Sequence, residues 1–246
     1  VVYRSSPTQV PGQWATFGCA NDGDRSGGLK TDGTLWAWGA NNHGGLGLNQ
    51  PSNTKYSSPV QVGTDNTWAR ASYGFNFVIA AKTDGTLWSW GYNTSQLGQN
   101  NTVKYSSPVQ IPGTTWDTGY HKFCAGSYQV AAIKTDNTLW VWGSNSQGEL
   151  GMNNKTYYSS PIQIPGTNWK SVTMESGGAS ATKTDGTLWS WGYNGWGEMG
   201  NNQNYGVHPR YSSPVQVPGT TWALTGGNGR QWKYALKTDG TLWAWG

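Results

Sequence analysis

Apolar and polar positions alternate with a period of two over short stretches that return at regular intervals along the chain. The clearest stretch is Lys30-Thr-Asp-Gly-Thr-Leu-Trp-Ala-Trp-Gly39. It returns from Lys82, Lys134, Lys183 and Lys237, giving five near-identical copies 49 to 54 residues apart. A short apolar run such as Val130-Ala-Ala-Ile133 leads in, Asp-Gly follows, and Thr-Leu-Trp-x-Trp comes after. Two β-prone runs around Asp-Gly predict a tight hairpin with a type I′ turn, which needs positive φ at both central residues. Asn137 replaces the glycine in the third copy, and asparagine is the next best residue for positive φ. The alternation puts Trp36 and Trp38 on one face of the strand and Leu35 and Ala37 on the other. The residue between the tryptophans is small or β-branched (Ala37, Ser89, Val141, Ser190, Ala244), so that face must lie close against a neighbour. One hairpin is marginal in water, so the copies must stack and cover one another's tryptophans.

A second recurring run is Tyr56-Ser-Ser-Pro-Val-Gln-Val62, followed by Trp68. It has counterparts from Arg4, Tyr105, Tyr158 and Tyr211. It alternates like a strand, and its proline belongs at a strand start or on a sheet edge, because proline cannot donate a ladder bond. Between hairpin and run lies a loop framed by Asn41, Leu46-Gly47 and Asn49, which recurs three times. Its fixed asparagines and glycines predict side-chain-to-backbone bonds and positive φ. Five hairpins, five Ser-Ser-Pro runs and four loops predict one domain over residues 1–246. The expected fold is all-β: a five-bladed β-propeller of four-stranded antiparallel blades, with one blade closed by joining the N- and C-terminal strands.

The frame KTDGTLWxWG, Asn, Leu-Gly, Asn, SSPxQV resembles the repeat of the regulator of chromosome condensation family over essentially the whole chain. Trp142-Gly143, Asn145 and Gln147-Gly148-Glu149-Leu150-Gly151 lie nearest to the family pattern. The resemblance implies a β-propeller. Such uniform copies are similar to bacterial, phage and environmental versions, which implies adhesion or protein interaction. The founding member exchanges guanine nucleotide on a small nuclear GTPase and binds chromatin, and no residue here matches that activity position by position. Two features depart from the pattern. Members usually carry about seven blades. Many repeats also carry a histidine where this chain has Arg25, Phe77, Gln129, Gly178 and Trp232.

Composition narrows the function. Charged residues make up 11% of the 246, while 17 tryptophans and 36 glycines are present, the profile of a turn-rich β protein with a neutral surface. The net charge of +4 is dispersed, since the repeat lysines alone supply five of the 16 basic residues, so nucleic-acid binding is not expected. No apolar run is long enough for a membrane-spanning helix, and no secretory leader pattern is present. The sequence opens on Val1 without methionine, as expected of a processed form, a fragment or part of a longer chain. Cys19 and Cys124 fall in corresponding segments of non-adjacent repeats and are expected to be free, largely buried thiols.

Fifteen of the 17 tryptophans sit at repeated positions: the Trp-x-Trp pairs and Trp14, Trp68, Trp116, Trp169 and Trp222. Those are expected in the core, so a binding site is sought where the repeats disagree. Trp196 lies near Tyr193, Tyr205, His208 and Arg210 in the longest loop. Trp232 lies beside Arg230 and Lys233, and Tyr92 is the counterpart of Tyr193. These eight residues (Trp196, Trp232, Tyr193, Tyr92, Tyr205, His208, Arg210 and Arg230) are the candidates for contact with a protein or glycan. No catalytic pattern accompanies them. His43, His121 and His208 occupy unrelated repeat positions, and no Gly-x-Ser-x-Gly or His-x-x-x-His occurs. Glu149 and Glu198 are expected to be solvated loop acids, and the hairpin lysines and aspartates surface charges. Asp22 and Asp24 lack the glutamate of a helix-loop-helix calcium site. The expectation is a non-catalytic module for interaction, adhesion or structural assembly, extracellular or on a virion, using no metal or cofactor and not inserting into a membrane. The alternative is a carbohydrate-binding propeller lectin, and the third reading is a fragment of an exchange-factor or chromatin-binding regulator.

Overall fold

A computed structural model of the chain describes residues 6–20, 23–203, 210–227 and 232–246. They form five antiparallel sheets in chain order. The first holds β1 (Trp14–Cys19), β2 (Arg25–Lys30), β3 (Leu35–Ala40) and β4 (Lys55–Gln61). The second holds β5 (Trp68–Tyr73), β6 (Phe77–Lys82), β7 (Leu87–Gly91) and β8 (Tyr105–Ile111). The third holds β9 (Phe123–Ala125), β10 (Gln129–Ile133), β11 (Leu139–Gly143) and β12 (Tyr158–Gln163). The fourth holds β13 (Trp169–Met174), β14 (Gly178–Lys183), β15 (Leu188–Tyr193) and β16 (Arg210–Val217). The fifth holds β17 (Trp222–Gly227), β18 (Lys233–Lys237) and β19 (Leu242–Trp245).

Each sheet is a meander whose middle strands are the expected hairpin. Its turn differs in type. Lys30 N–H bonds Thr34 O and Gly33 N–H bonds Lys30 O, which encloses Thr-Asp-Gly in a three-residue loop. Only the last loop residue is left-handed, Gly33 at φ 81° and Asn137 at φ 62° in the third copy. That is a type I turn followed by a left-handed residue rather than a type I′ turn. The aspartate stays right-handed because its carboxylate has local work. Asp32 Oδ1 accepts the Thr34 N–H at 3.0 Å and the Thr34 hydroxyl at 2.6 Å, and Trp36 Nε1 donates to that hydroxyl oxygen at 2.8 Å. All five hairpins repeat this relay.

The hairpin lysine is not a simple surface charge. Lys134 Nζ lies 4.2 Å from the centre of the Trp140 ring and 5.0 Å from that of Trp116, and its counterparts do the same. An ammonium between two electron-rich ring faces is held there by cation–π attraction. Lys82 is also paired with Asp65 at 2.9 Å.

The Ser-Ser-Pro strands β4, β8, β12 and β16 are the outer edges of their sheets, where proline costs no ladder bond. Four apolar cores lie between successive sheets, from first-on-second to fourth-on-fifth. Trp68, Trp116, Trp169 and Trp222 are each buried against a Trp-x-Trp pair. The fifth sheet has three strands among the described residues. Ser6–Val10, whose counterparts form the outer strands, is exposed and outside any strand, so the expected joining of the terminal strands is not seen among them. Leu242 is 70% exposed, although its counterparts Leu35, Leu87, Leu139 and Leu188 are buried. Both cysteines are free. Cys19 is exposed rather than buried, because it lies on the face of β1 that no sheet covers among the described residues, and Cys124 is half-buried.

Candidate ligand-binding site

At the end of the sheets opposite the Asp-Gly turns, two connections from each repeat meet. One is the short link between the first two strands, and the other is the long loop between the last two. The long loop is built on its asparagine. Asn145 Nδ2 donates to Asn154 O at 3.0 Å and Thr156 O at 3.1 Å, and its Oδ1 accepts the Leu150 N–H at 2.9 Å. Asn41, Asn93 and Asn194 hold their loops in the same way. The next sheet then clamps the loop through the second tryptophan of its pair. Trp191 Nε1 donates to Glu149 O at 2.7 Å, and Trp90, Trp142 and Trp245 make the equivalent bonds to Gly45, Gln96 and Glu198.

Glu149 and Glu198 are buried beneath these loops, not solvated. The clamping tryptophan bonds their backbone carbonyls, and each carboxylate curls back onto its own loop. Glu149 Oε2 accepts the Gln147 N–H at 2.7 Å, and its Oε1 accepts Gln129 Nε2 at 3.2 Å. Glu198 Oε2 accepts the Trp196 N–H at 2.8 Å. Burial pushes the Glu149 pKa up, and the bonds it accepts pull the other way. The short link of the third sheet sits on Gly143, at φ 108°, where a Cβ would lie 2.3 Å from Tyr128 O. Only glycine allows that approach, and it lets the Ser144 N–H bond Tyr128 O at 2.9 Å.

These restraints form a recess of about 470 Å³ between the third and fourth repeats. The rings of Tyr128, Tyr193 and Trp196 line it, together with Ser144, Ser146, Gln147 and Ser176, while Gln129 and Glu149 lie at its buried side. Trp196 is 63% exposed, and its loop is tied down by Glu198. Arg210 donates to Gln147 Oε1 at the rim. Tyr128 continues an aromatic row through Tyr92 and Phe75, and Tyr92 packs on His43 at 4.9 Å beneath Lys104.

Of the eight sequence candidates, Tyr193 and Trp196 line this recess and Arg210 touches it through Gln147. Tyr92 stands one repeat away in the aromatic row, and Trp232 is 64% exposed beside the fifth sheet, apart from the recess. Tyr205, His208 and Arg230 lie outside the described residues. Sequence reasoning passed over Tyr128, Gln129, Gln147 and Glu149 as site residues. Their signal was present at the position where many family repeats carry histidine, because Gln129 stands there and Tyr128 precedes it. Among the described residues, no group of three or more His, Cys, Asp or Glu side chains is arranged to hold a metal ion.

Between the fourth and fifth sheets lies a buried charge cluster. Lys233 pairs with Trp245 across the hairpin, the place held by Val78 and Val130 in other repeats. Its Nζ donates to Ala179 O at 2.8 Å. Burial pushes the nearby Glu175 carboxyl up to about 7, against the pull of Lys233, and burial lowers the Lys233 pKa against the pull of Glu175 and Glu198.

The model of the regulator of chromosome condensation (RCC1) repeat matches residues 32–81, 84–133 and 136–182. Human X-linked retinitis pigmentosa GTPase regulator is 30% identical over 131 residues, which is 53% of this chain and 13% of that protein. The mitochondrial RCC1 domain-containing protein RUG3 of Arabidopsis thaliana is 26% identical over 185 residues, 71% of this chain and 41% of that protein. Among solved structures, Prp20p of Saccharomyces cerevisiae superposes with a TM-score of 0.74 at 17% identity, over 89% of this chain and 54% of that one. Human WBSCR16 superposes with a TM-score of 0.74 at 20% identity, over 94% of this chain and 60% of that one. The chain therefore spans less than two thirds of the length of each of these proteins.

Proposed function

The chain belongs to the RCC1 repeat family, and from that premise we propose that it is a non-catalytic interaction propeller, an adhesion or assembly module acting outside the cytosol or on a virion. The observation that carries this reading is the recess bordered by Trp196. Three rings and several uncharged polar groups stand on loops that buried acids and tryptophans already hold in place. Preorganised aromatic groups at a rigid surface are what partner binding uses, because little ordering entropy is lost on contact. A binding role also fits the solved relative Prp20p, which is described with binding properties toward Gsp1p and histones. Glu149 is engaged in holding its loop, and among the described residues no second acid lines the recess to pair with it, which speaks against hydrolysis.

Beads coated with the protein should adhere to immobilised bacterial envelope or phage-particle preparations. The Tyr193→Ala/Trp196→Ala double variant should adhere roughly tenfold less. Equal adhesion by the double variant sinks the proposal, as does turnover in a broad hydrolase screen that one substitution abolishes. Protease treatment of the surface removes a protein partner, whereas periodate treatment removes a glycan. The uncharged character of the recess favours the second source.

A further inference from the structure

We infer that the recess between the third and fourth repeats is a binding site for a neutral saccharide, an inference that rests on reading the loop face as the binding surface. The argument starts from which of its groups are already engaged. Glu149 is the one acid lining the recess among the described residues. It is buried, and both of its oxygens accept bonds from the protein, from Gln147 N–H and Gln129 Nε2. A carboxylate so saturated holds the floor together and has little left for an incoming cation. Among the described residues the lining includes no basic side chain, and Arg210 at the rim is bonded through Nε to Gln147 Oε1.

Besides Glu149, the described groups that line the recess are neutral. Ser146 bonds Glu149, and the others are the hydroxyls of Ser144 and Ser176, the amide NH2 of Gln147, and the rings of Tyr128, Tyr193 and Trp196. A sugar has matching halves, because its C–H face stacks on an aromatic ring and its hydroxyls both donate and accept hydrogen bonds. Arg210 fixes the carbonyl oxygen of Gln147, which leaves its NH2 group as the donor. A volume of about 470 Å³ lies within the range of small-ligand sites, roughly 300–1,000 Å³. Among the described residues the arrangement is confined to this pair of repeats, because the described counterparts of Tyr128 are Asp24, Asn76 and Gly177, and those of Trp196 include His43 and Gln147.

The test is a titration of the full chain with soluble neutral oligosaccharides (maltotriose, chitotriose, xylotriose and mannotriose), followed by tryptophan fluorescence and calorimetry. At least one should bind and shift the emission. Trp196→Ala should abolish the response while leaving the circular dichroism unchanged, since that side chain is mostly exposed. Gln147→Ala should weaken binding roughly tenfold by removing a hydrogen-bond donor. Trp243→Phe, on the fifth sheet, should leave binding unchanged. Silence across the whole panel overturns the inference, as does a response that survives Trp196→Ala. Trp196-dependent binding of a lysine-rich peptide without any saccharide response overturns the saccharide class but leaves the interaction function standing.

Discussion

Lys233 is an ammonium at a position where two sister sheets place valine and two place serine or alanine, and it survives there because a backbone carbonyl accepts its bond and two carboxylates lie near it. Removing one member of a buried charged group strands the others, so Lys233→Met should lower stability by about 3–5 kcal/mol near pH 8. The loss should shrink at pH 5, where Glu175 takes up a proton and one of the stranded charges disappears. The sign for Glu175 itself follows from its raised pKa. Between 4.5 and about 7 the folded chain holds a proton that the unfolded chain has released, so this carboxyl makes stability fall as pH rises through that window. Urea midpoints measured across that window should decline in the wild type more steeply than in Glu175→Gln. Equal slopes would show that Glu175 is ionised throughout. The bare sequence showed a lysine beside a candidate tryptophan, but not its burial, because the register that turns it inward is fixed by β19.

The Asp-Gly hairpin was the element most legible in the sequence, since every residue that makes it lies within one decapeptide. Its turn type was misread because an Asp-Gly pair permits two loop lengths, and the carboxylate relay to Thr34 and Trp36 selects the longer. The glycines of the five copies should not be equally replaceable. At Gly33 a Cβ would lie 2.0 Å from Asn66 O, whereas at Gly240 nothing lies within 4 Å. Gly240→Ala should therefore cost only the strain of positive φ, about 1 kcal/mol, while Gly33→Ala should cost clearly more. Gly240→Asn should be milder than either, as Asn137 already adopts this backbone. Thermal unfolding of the three variants orders them, and equal melting losses at 33 and 240 would refute the close approach. The long loops were half legible. Their asparagine frame appears in the sequence, but the tryptophan that clamps the Glu149 backbone comes from the next repeat, so the acid looked solvated. Tyr193 and Trp196 stood out because they break the repeat. Tyr128 joins them only once Gly143 brings its link down onto the third strand.

Across the whole molecule, the repeat count foresaw five sheets and their order, because each copy must bury its face on the next. It also foresaw a joined fifth blade, whose fourth strand is not seen among the described residues. Pairing the two ends is a non-local event that no repeat specifies internally. The consequence is measurable as an asymmetry between equivalent leucines. Leu188 is fully buried opposite Val217 of the outer strand, whereas Leu242 has no strand beyond it among the described residues and is 70% exposed. With the edge of β19 free, Leu188→Ala should cost about 2–5 kcal/mol and Leu242→Ala less than about 0.5 kcal/mol. Comparable losses in urea denaturation would mean that a strand covers Leu242 in solution. Ser6–Val10 has the pattern to supply it, since the register of Leu188 on Val217 and Trp189 on Gln216 would place Val10 opposite Leu242 and Gln9 opposite Trp243. Replacing Val10 with aspartate would then lower stability in a chain with intact Leu242 and add nothing once Leu242 is alanine. In a chain with a free edge, the same substitution in an exposed segment should be silent in both backgrounds.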